Sequence, residues 1–231
     1  MSLQNILLLA TGIINLFMSI IIFSRGIRNK INLYFSLLTF FNFLWAVSLF
    51  VGRVLSHDIW YGGGAVLAYV AALGIAISLY YFSVHFPIKI KNSKVYIDYL
   101  IVAIFLFFSV VVYVKGFFIL SYNKNLLATE YTLYFLKPVY ILYSIYFIVI
   151  VLLAILNFFK KMSLLDNFLA KQVKILLISI MIGLAFGIYF DLILCYFGNF
   201  RYIWFGPIFT ALMNAYVFYL INSNKDKISH G

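Results

Sequence analysis

Charge is what this sequence has least of. Only 10% of its 231 residues are Asp, Glu, Lys or Arg, where a soluble domain carries about 25%. With 66% of the residues hydrophobic, too few polar groups remain to cover a water-soluble surface, so the bilayer is the solvent that fits. Cysteine is nearly absent: Cys195 alone excludes an internal disulfide and a multi-cysteine metal site. Acidic residues number 6, and none forms a pair inside an apolar run; Glu130 lies in a loop and Asp191 stands without an acidic neighbour. His57, His85 and His230 are scattered, which gives no metal-ligand spacing. Neither a nucleophile–base constellation nor a phosphate loop occurs. The last apolar run contains no lysine, so a retinal Schiff base has no amine to form on. No enzymatic activity and no cofactor are expected.

What is present is a series of apolar runs, each near the ~20 residues that cross a ~30 Å hydrocarbon core. There are seven, at Leu3–Ser24, 31–52, 62–86, 96–114, 138–158, 174–197 and 205–221. The first lacks a basic segment before it and is followed by Arg25, Arg28 and Lys30, so it reads as a retained helix and not as a cleaved leader. The expected fold is an all-α membrane protein, a seven-transmembrane-helix bundle spanning residues 1–223 with a short tail at 224–231. Orientation follows from the bases. Arg25, Arg28, Lys30, Lys89, Lys91, Lys94, Lys160, Lys161, Lys171, Lys174, Lys225 and Lys227 fall on one side; Arg53, Lys115, Lys124, Lys137 and Arg201 fall on the other. The richer side is expected to be cytoplasmic, which puts the N-terminus outside, the C-terminus inside and the protein in the cell membrane as a multi-pass chain. Bases confined to short loops are topology signals and anionic-lipid contacts, so no nucleic-acid partner is expected. Between the fourth and fifth runs, the alternation around 129–135 predicts a small extended insertion on the outer side.

Polar and small residues inside the runs mark the faces that meet protein. Gly64, Ala68, Ala72 and Ala76 recur every fourth residue in the third run and so share one helical face. Tight helix packing is the economical reading; a ligand cleft is the alternative. The sixth run repeats the pattern with Ser179, Gly183, Gly187 and Asp191, which places the one deep acidic residue on a packing face. A charge at such depth costs at least about 2.5–3.5 kcal/mol unless paired or hydrated. Two readings stand: an outward-facing pocket lined by Asp191, Arg201, Tyr189, Trp204 and Tyr61, or a contact of Asp191 with Arg201 or a tyrosine that pins the last hairpin. Asn15, Asn42 and Asn214 lie near mid-membrane on the first, second and seventh runs, where interhelical hydrogen bonds among them are expected. His85 and Asp98 are candidates for a pair across the third loop. Trp45, Trp60 and Trp204 suit an interfacial belt, with Trp45 set deeper than a belt position.

The order of these features resembles the N-terminal seven-transmembrane sensor region of bacterial membrane-bound histidine kinases. The matching segments are FFNFLWAVSLF, IWYGGGAVLAYVAALGIAISLYYFSVHFP, AKQVKILL and FGPIFTALMNAYVFYLI, spread over nearly the whole chain. The resemblance implies a module that detects a small-molecule or physical signal and passes it through the seventh helix to a cytoplasmic signalling partner, alone or as a homodimer. The chain ends ten residues after the last run, at NSNKDKISHG, without a kinase domain. An isolated or truncated sensor region, or one that acts with a separate partner, is therefore expected. A small permease is the rival reading, although no Gly or Pro breaks a run in its middle and no inverted repeat is visible.

Overall fold

The computed structural model describes residues 2–54, 64–89, 95–114, 116–124 and 131–223. Among them are seven helices long and apolar enough to cross a membrane: α1 (Leu3–Ser24), α2 (Lys30–Val54), α3 (Ala65–His85), α4 (Val95–Tyr113), α5 (Lys137–Met162), α6 (Asn167–Tyr196) and α7 (Phe205–Ser223). A two-stranded antiparallel hairpin, β1 (Ile119–Lys124) and β2 (Tyr131–Phe135), connects α4 to α5.

Local signals start and stop these elements. The Ser2 hydroxyl accepts from the Asn5 amide at 3.4 Å, the Asn29 side chain from Ile31 at 2.9 Å and the Asp166 carboxylate from Leu169 at 2.7 Å, so each satisfies an amide of the first turn that has no intrahelical acceptor. Pro138 opens α5, where its missing N–H costs nothing. Gly198, at φ 81°, ends α6 in a left-handed turn, and the next amide, Asn199, returns to the Leu194 carbonyl at 2.9 Å.

Four helices outrun their apolar runs, α5 and α6 by the most. The sixth begins at Asn167, because the polar turn after the Asp166 cap is still a good helix former; an apolar run detects only the buried stretch. The fifth continues through Lys160 and Lys161, bases that suit a helix C-terminus. The third helix begins at Ala65, and residues 62 and 63 lie outside the described residues.

The helices form a closed circuit in which α1 packs on α2, α2 on α3, α3 on α5, α5 on α6, α6 on α7 and α7 back on α1 and α2. The fourth helix stands outside this circuit. It packs on α3 and is tied to α5 by the Tyr146 hydroxyl, which donates to the Ile101 carbonyl at 2.6 Å. In α3, 72% of the spanning residues are buried, against 22% in α4. The third helix is therefore the axis of the bundle and α4 its periphery. Outward-facing Leu100, Leu106, Phe107 and Val110 of α4 and Ile14, Phe17 and Ile20 of α1 would be a liability in water; in a bilayer they face acyl chains.

Close helix approach occurs away from the regular stripe of α3. A methyl group on Gly74 would overlap the Phe41 ring of α2, and one on Gly12 would lie 3.2 Å from Val47. The α1–α2–α3 face is thus where small residues let backbones meet.

The hairpin folds back onto the bundle. Phe118, Ile119, Leu133 and Phe135 are buried, and Phe118 and Phe135 pack edge-on against Tyr69 of α3, with ring centroids at 5.1 and 5.5 Å. Phe135 also stacks on Tyr140 at 4.3 Å. The strand alternation expected from the sequence appears in β2, with Leu133 and Phe135 inward and Tyr134 outward.

Candidate ligand cavity

A cavity of about 100 Å³ lies between α2, α3, α5, α6 and α7, beneath the hairpin. Its wall on α3 runs from Ala65 to Leu79, roughly 21 Å of helix at 1.5 Å per residue. Leu133 of the hairpin contributes at one end, and Ile180 and Met213 lie towards the other. Trp45, Tyr69, Tyr143, Phe147 and Phe209 give it aromatic walls. Asp191 is the only acidic side chain among its lining residues.

The small residues of α3 and α6 create this space. Ala68, Ala72, Gly183 and Gly187 all line it. A methyl group on Gly183 would meet nothing within 4 Å, and one on Gly187 would meet only the Asp191 carboxylate, at 3.8 Å. Gly183 and Gly187 therefore do not hold helices together, as a small-residue stripe would lead one to expect. The stripe of α3 is divided: Ala76 is fully buried, Ala68 and Ala72 face the cavity, and Gly64 precedes the helix as its cap. Ser179 does not reach the lining; its hydroxyl donates within α6 to the Ile175 carbonyl at 3.0 Å.

Asp191 sits in a π-helical turn, Ile188–Ile193, inside α6. The wider turn takes the backbone out of α-helical register and leaves carbonyls to be satisfied elsewhere. The Tyr140 hydroxyl lies 3.2 Å from the Asp191 carbonyl and 3.1 Å from that of Leu192, so a tyrosine of α5 supports the distorted turn. Both Asp191 side-chain oxygens are buried and have no hydrogen-bond partner among the described residues. Neither the contact with Arg201 nor one with a tyrosine hydroxyl forms at the carboxylate. The tyrosine meets the Asp191 backbone instead.

The other residues expected to line the pocket lie elsewhere. Tyr189 is 52% exposed on the outer surface of α6. The Arg201 guanidinium stacks over Tyr202 at 5.7 Å, and Trp204 stacks on Phe205 at 3.9 Å. Tyr61 falls outside the described residues. Their places in the wall are taken by Trp45 and Gly206, which the sequence did not mark as neighbours of Asp191. A methyl group on Gly206 would collide with Asp191 Oδ2 and with the Trp45 ring, 2.5 Å from Cη2. The depth of Trp45, at odds with a belt, was the available signal.

Two polar constructions tie the bundle around the cavity. Asn214 Nδ2 of α7 donates to Asn15 Oδ1 of α1 at 2.8 Å, while Asn15 Nδ2 returns to the Thr11 carbonyl at 2.9 Å. Asn42 does not join them: its amide donates to the Leu38 carbonyl of its own helix at 2.9 Å. Away from the hairpin, Lys161 is fully buried and its ammonium donates to the carbonyls of Ser83, Val84 and Phe86 at 2.6, 3.0 and 2.8 Å. Three donors thus meet carbonyls at the end of α3 that the helix itself leaves unpaired. Asn157, one turn earlier, donates to the Ser83 hydroxyl at 3.0 Å. His85 does not pair with Asp98. Its Nδ1 lies 2.9 Å from the Tyr81 carbonyl and its ring stands 5.1 Å from that of Tyr34, while Asp98 is 3.5 Å from the Tyr80 hydroxyl.

At the same end, the Arg25 guanidinium bonds Asn222 and lies 5.8 Å from the Phe218 ring, which joins the end of α1 to the end of α7. No family model, curated protein or solved structure matches this chain. The functional reading rests on the cavity itself.

Proposed function

We propose that this chain is a receptor-like sensory module without catalysis, inserted in the cell membrane with its N-terminus and hairpin outside and its C-terminus in the cytoplasm. The distribution of bases supports the orientation. The cavity carries the functional reading: an internal space ends on a carboxylate that the described residues leave without a hydrogen bond. One wall of that space is α7, whose far end is joined to α1 through Arg25, Phe218 and Asn222. A ligand that binds one position of α7 better than another would shift the population of that end, where a cytoplasmic partner would read it. The resemblance to the sensor region of histidine kinases points the same way.

Transport is the second reading, and the π-helical turn in α6 favours it, since distorted spans often mark transporter sites. Current measured across proteoliposomes with tetramethylammonium, a permanent cation that does not cross lipid unaided, separates the two. The sensory module gives no protein-dependent current. A saturable current abolished by Asp191→Asn would overturn it in favour of transport.

A further inference from the structure

We propose that the cavity binds a primary amine carried on a short apolar chain, its ammonium group held by the Asp191 carboxylate. This rests on the cavity being the ligand site, and it adds the chemical class of the ligand.

Both carboxylate oxygens are buried and unpartnered among the described residues, in walls that, Thr210 apart, are aliphatic and aromatic. An isolated carboxylate in such surroundings is costly, and a ligand that brings both countercharge and several N–H donors offsets that cost. A primary ammonium offers three donors, enough for both oxygens. A hydroxyl offers one, and a second carboxylate repels.

Beside Asp191, the edge of the Trp45 indole packs tightly against the Gly206 backbone, which sets a fluorescent reporter next to the carboxylate. Among the described residues the rest of the lining carries no second charge: Leu49, Ile75, Phe147, Val151, Phe209 and Met213 are part of it. The cavity volume of about 100 Å³ is several times the ~10–15 Å³ needed for one water. That leaves room for an apolar chain of several carbons.

The test uses the full chain in lipid nanodiscs with Trp60→Phe and Trp204→Phe, so that Trp45 is the sole indole and reports occupancy of the cavity and not partition into lipid. The probes are hexylamine, hexanol and hexanoate, matched in length. The inference requires hexylamine to bind most tightly. It also requires Asp191→Asn, which preserves shape, to weaken hexylamine by at least about tenfold, the effect of losing one charge-assisted hydrogen bond, while leaving hexanol unchanged. Hexanol or hexanoate binding as tightly as hexylamine, or hexylamine affinity surviving Asp191→Asn, would overturn the amine assignment and leave the cavity a ligand site. No binding by any probe, or binding unchanged when Gly183→Leu or Ala72→Leu fills the space, would overturn the cavity reading and this inference with it. The two fillers enter from opposite walls, so one that fails to fold does not stop the test.

Discussion

Lys161→Met removes the ammonium from the end of α3 and keeps most of the stem. Lys161 is fully buried and donates three bonds of 2.6 to 3.0 Å to the carbonyls of Ser83, Val84 and Phe86. The attraction is more than pairwise, because a cation at a helix C-terminus also faces the negative end of the helix dipole. Without it, three acceptors are left unpaired at about 1–3 kcal/mol each. Their place at the end of a span lets water reach some of them. The expected loss is therefore about 3–5 kcal/mol, the range seen when one partner of a buried charged interaction is removed. Even 3 kcal/mol changes the folded-to-unfolded ratio by roughly 150-fold. Asn157→Leu, which removes only the single bond to the Ser83 hydroxyl, should cost about 1 kcal/mol. Reversible unfolding in mixed micelles, followed by tryptophan fluorescence as the denaturing detergent fraction rises, measures both. A loss below about 1 kcal/mol for Lys161→Met would refute the reasoning, since it would mean that the carbonyls are already hydrated.

Other substitutions separate close approach from open space. Gly74→Ala places a methyl group in the Phe41 ring and should cost about 1–3 kcal/mol by overpacking; Gly183→Ala meets nothing within 4 Å and should leave thermal stability unchanged or higher. Equal losses at the two glycines would contradict the assignment of Gly183 to the cavity. Asn15→Leu and Asn214→Leu should each cost about 0.6–2 kcal/mol, and the double variant less than their sum because neither amide is then left alone. Strict additivity in the same unfolding assay would count against the Asn15–Asn214 bond.

The helices were legible because the bilayer imposes length and apolarity on every span, and both can be read residue by residue. Leu3–Ser24 matches its run end to end, and the hairpin strand at Tyr131–Phe135 shows in its alternation. The meaning of the small residues was harder to read. Four-residue spacing says that Gly183 and Gly187 share a face with Asp191, and they do. It does not say whether a neighbour comes close to that face or leaves it open. That depends on Tyr140, Trp45 and Gly206, which lie far away in sequence and are brought in by other helices. Arg201 and Tyr189 were expected beside Asp191 from nearness in sequence, but side chains two residues apart point to opposite sides of a helix, so Tyr189 faces out. Lys161 looked like one more topology base. Its position seven residues after Ala154 and three after Phe158, both fully buried, puts it on the inner face of α5, whereas its neighbour Lys160 points out.

The central claim is that occupancy of the cavity is transmitted to the far end of α7. Because Lys161 locks the end of α5 to α3, that end is a fixed reference against which α7 can be measured. Spin labels at Lys160→Cys and Tyr219→Cys, both exposed positions, in a Cys195→Ala background report the distance between them by pulsed electron resonance in nanodiscs. Gly183→Phe fills the cavity and stands in for a ligand. The account predicts a shift of about 2 Å in the mean distance between filled and unfilled forms, the scale of helix shifts in switching proteins. Superimposable distance distributions for the two forms would contradict it.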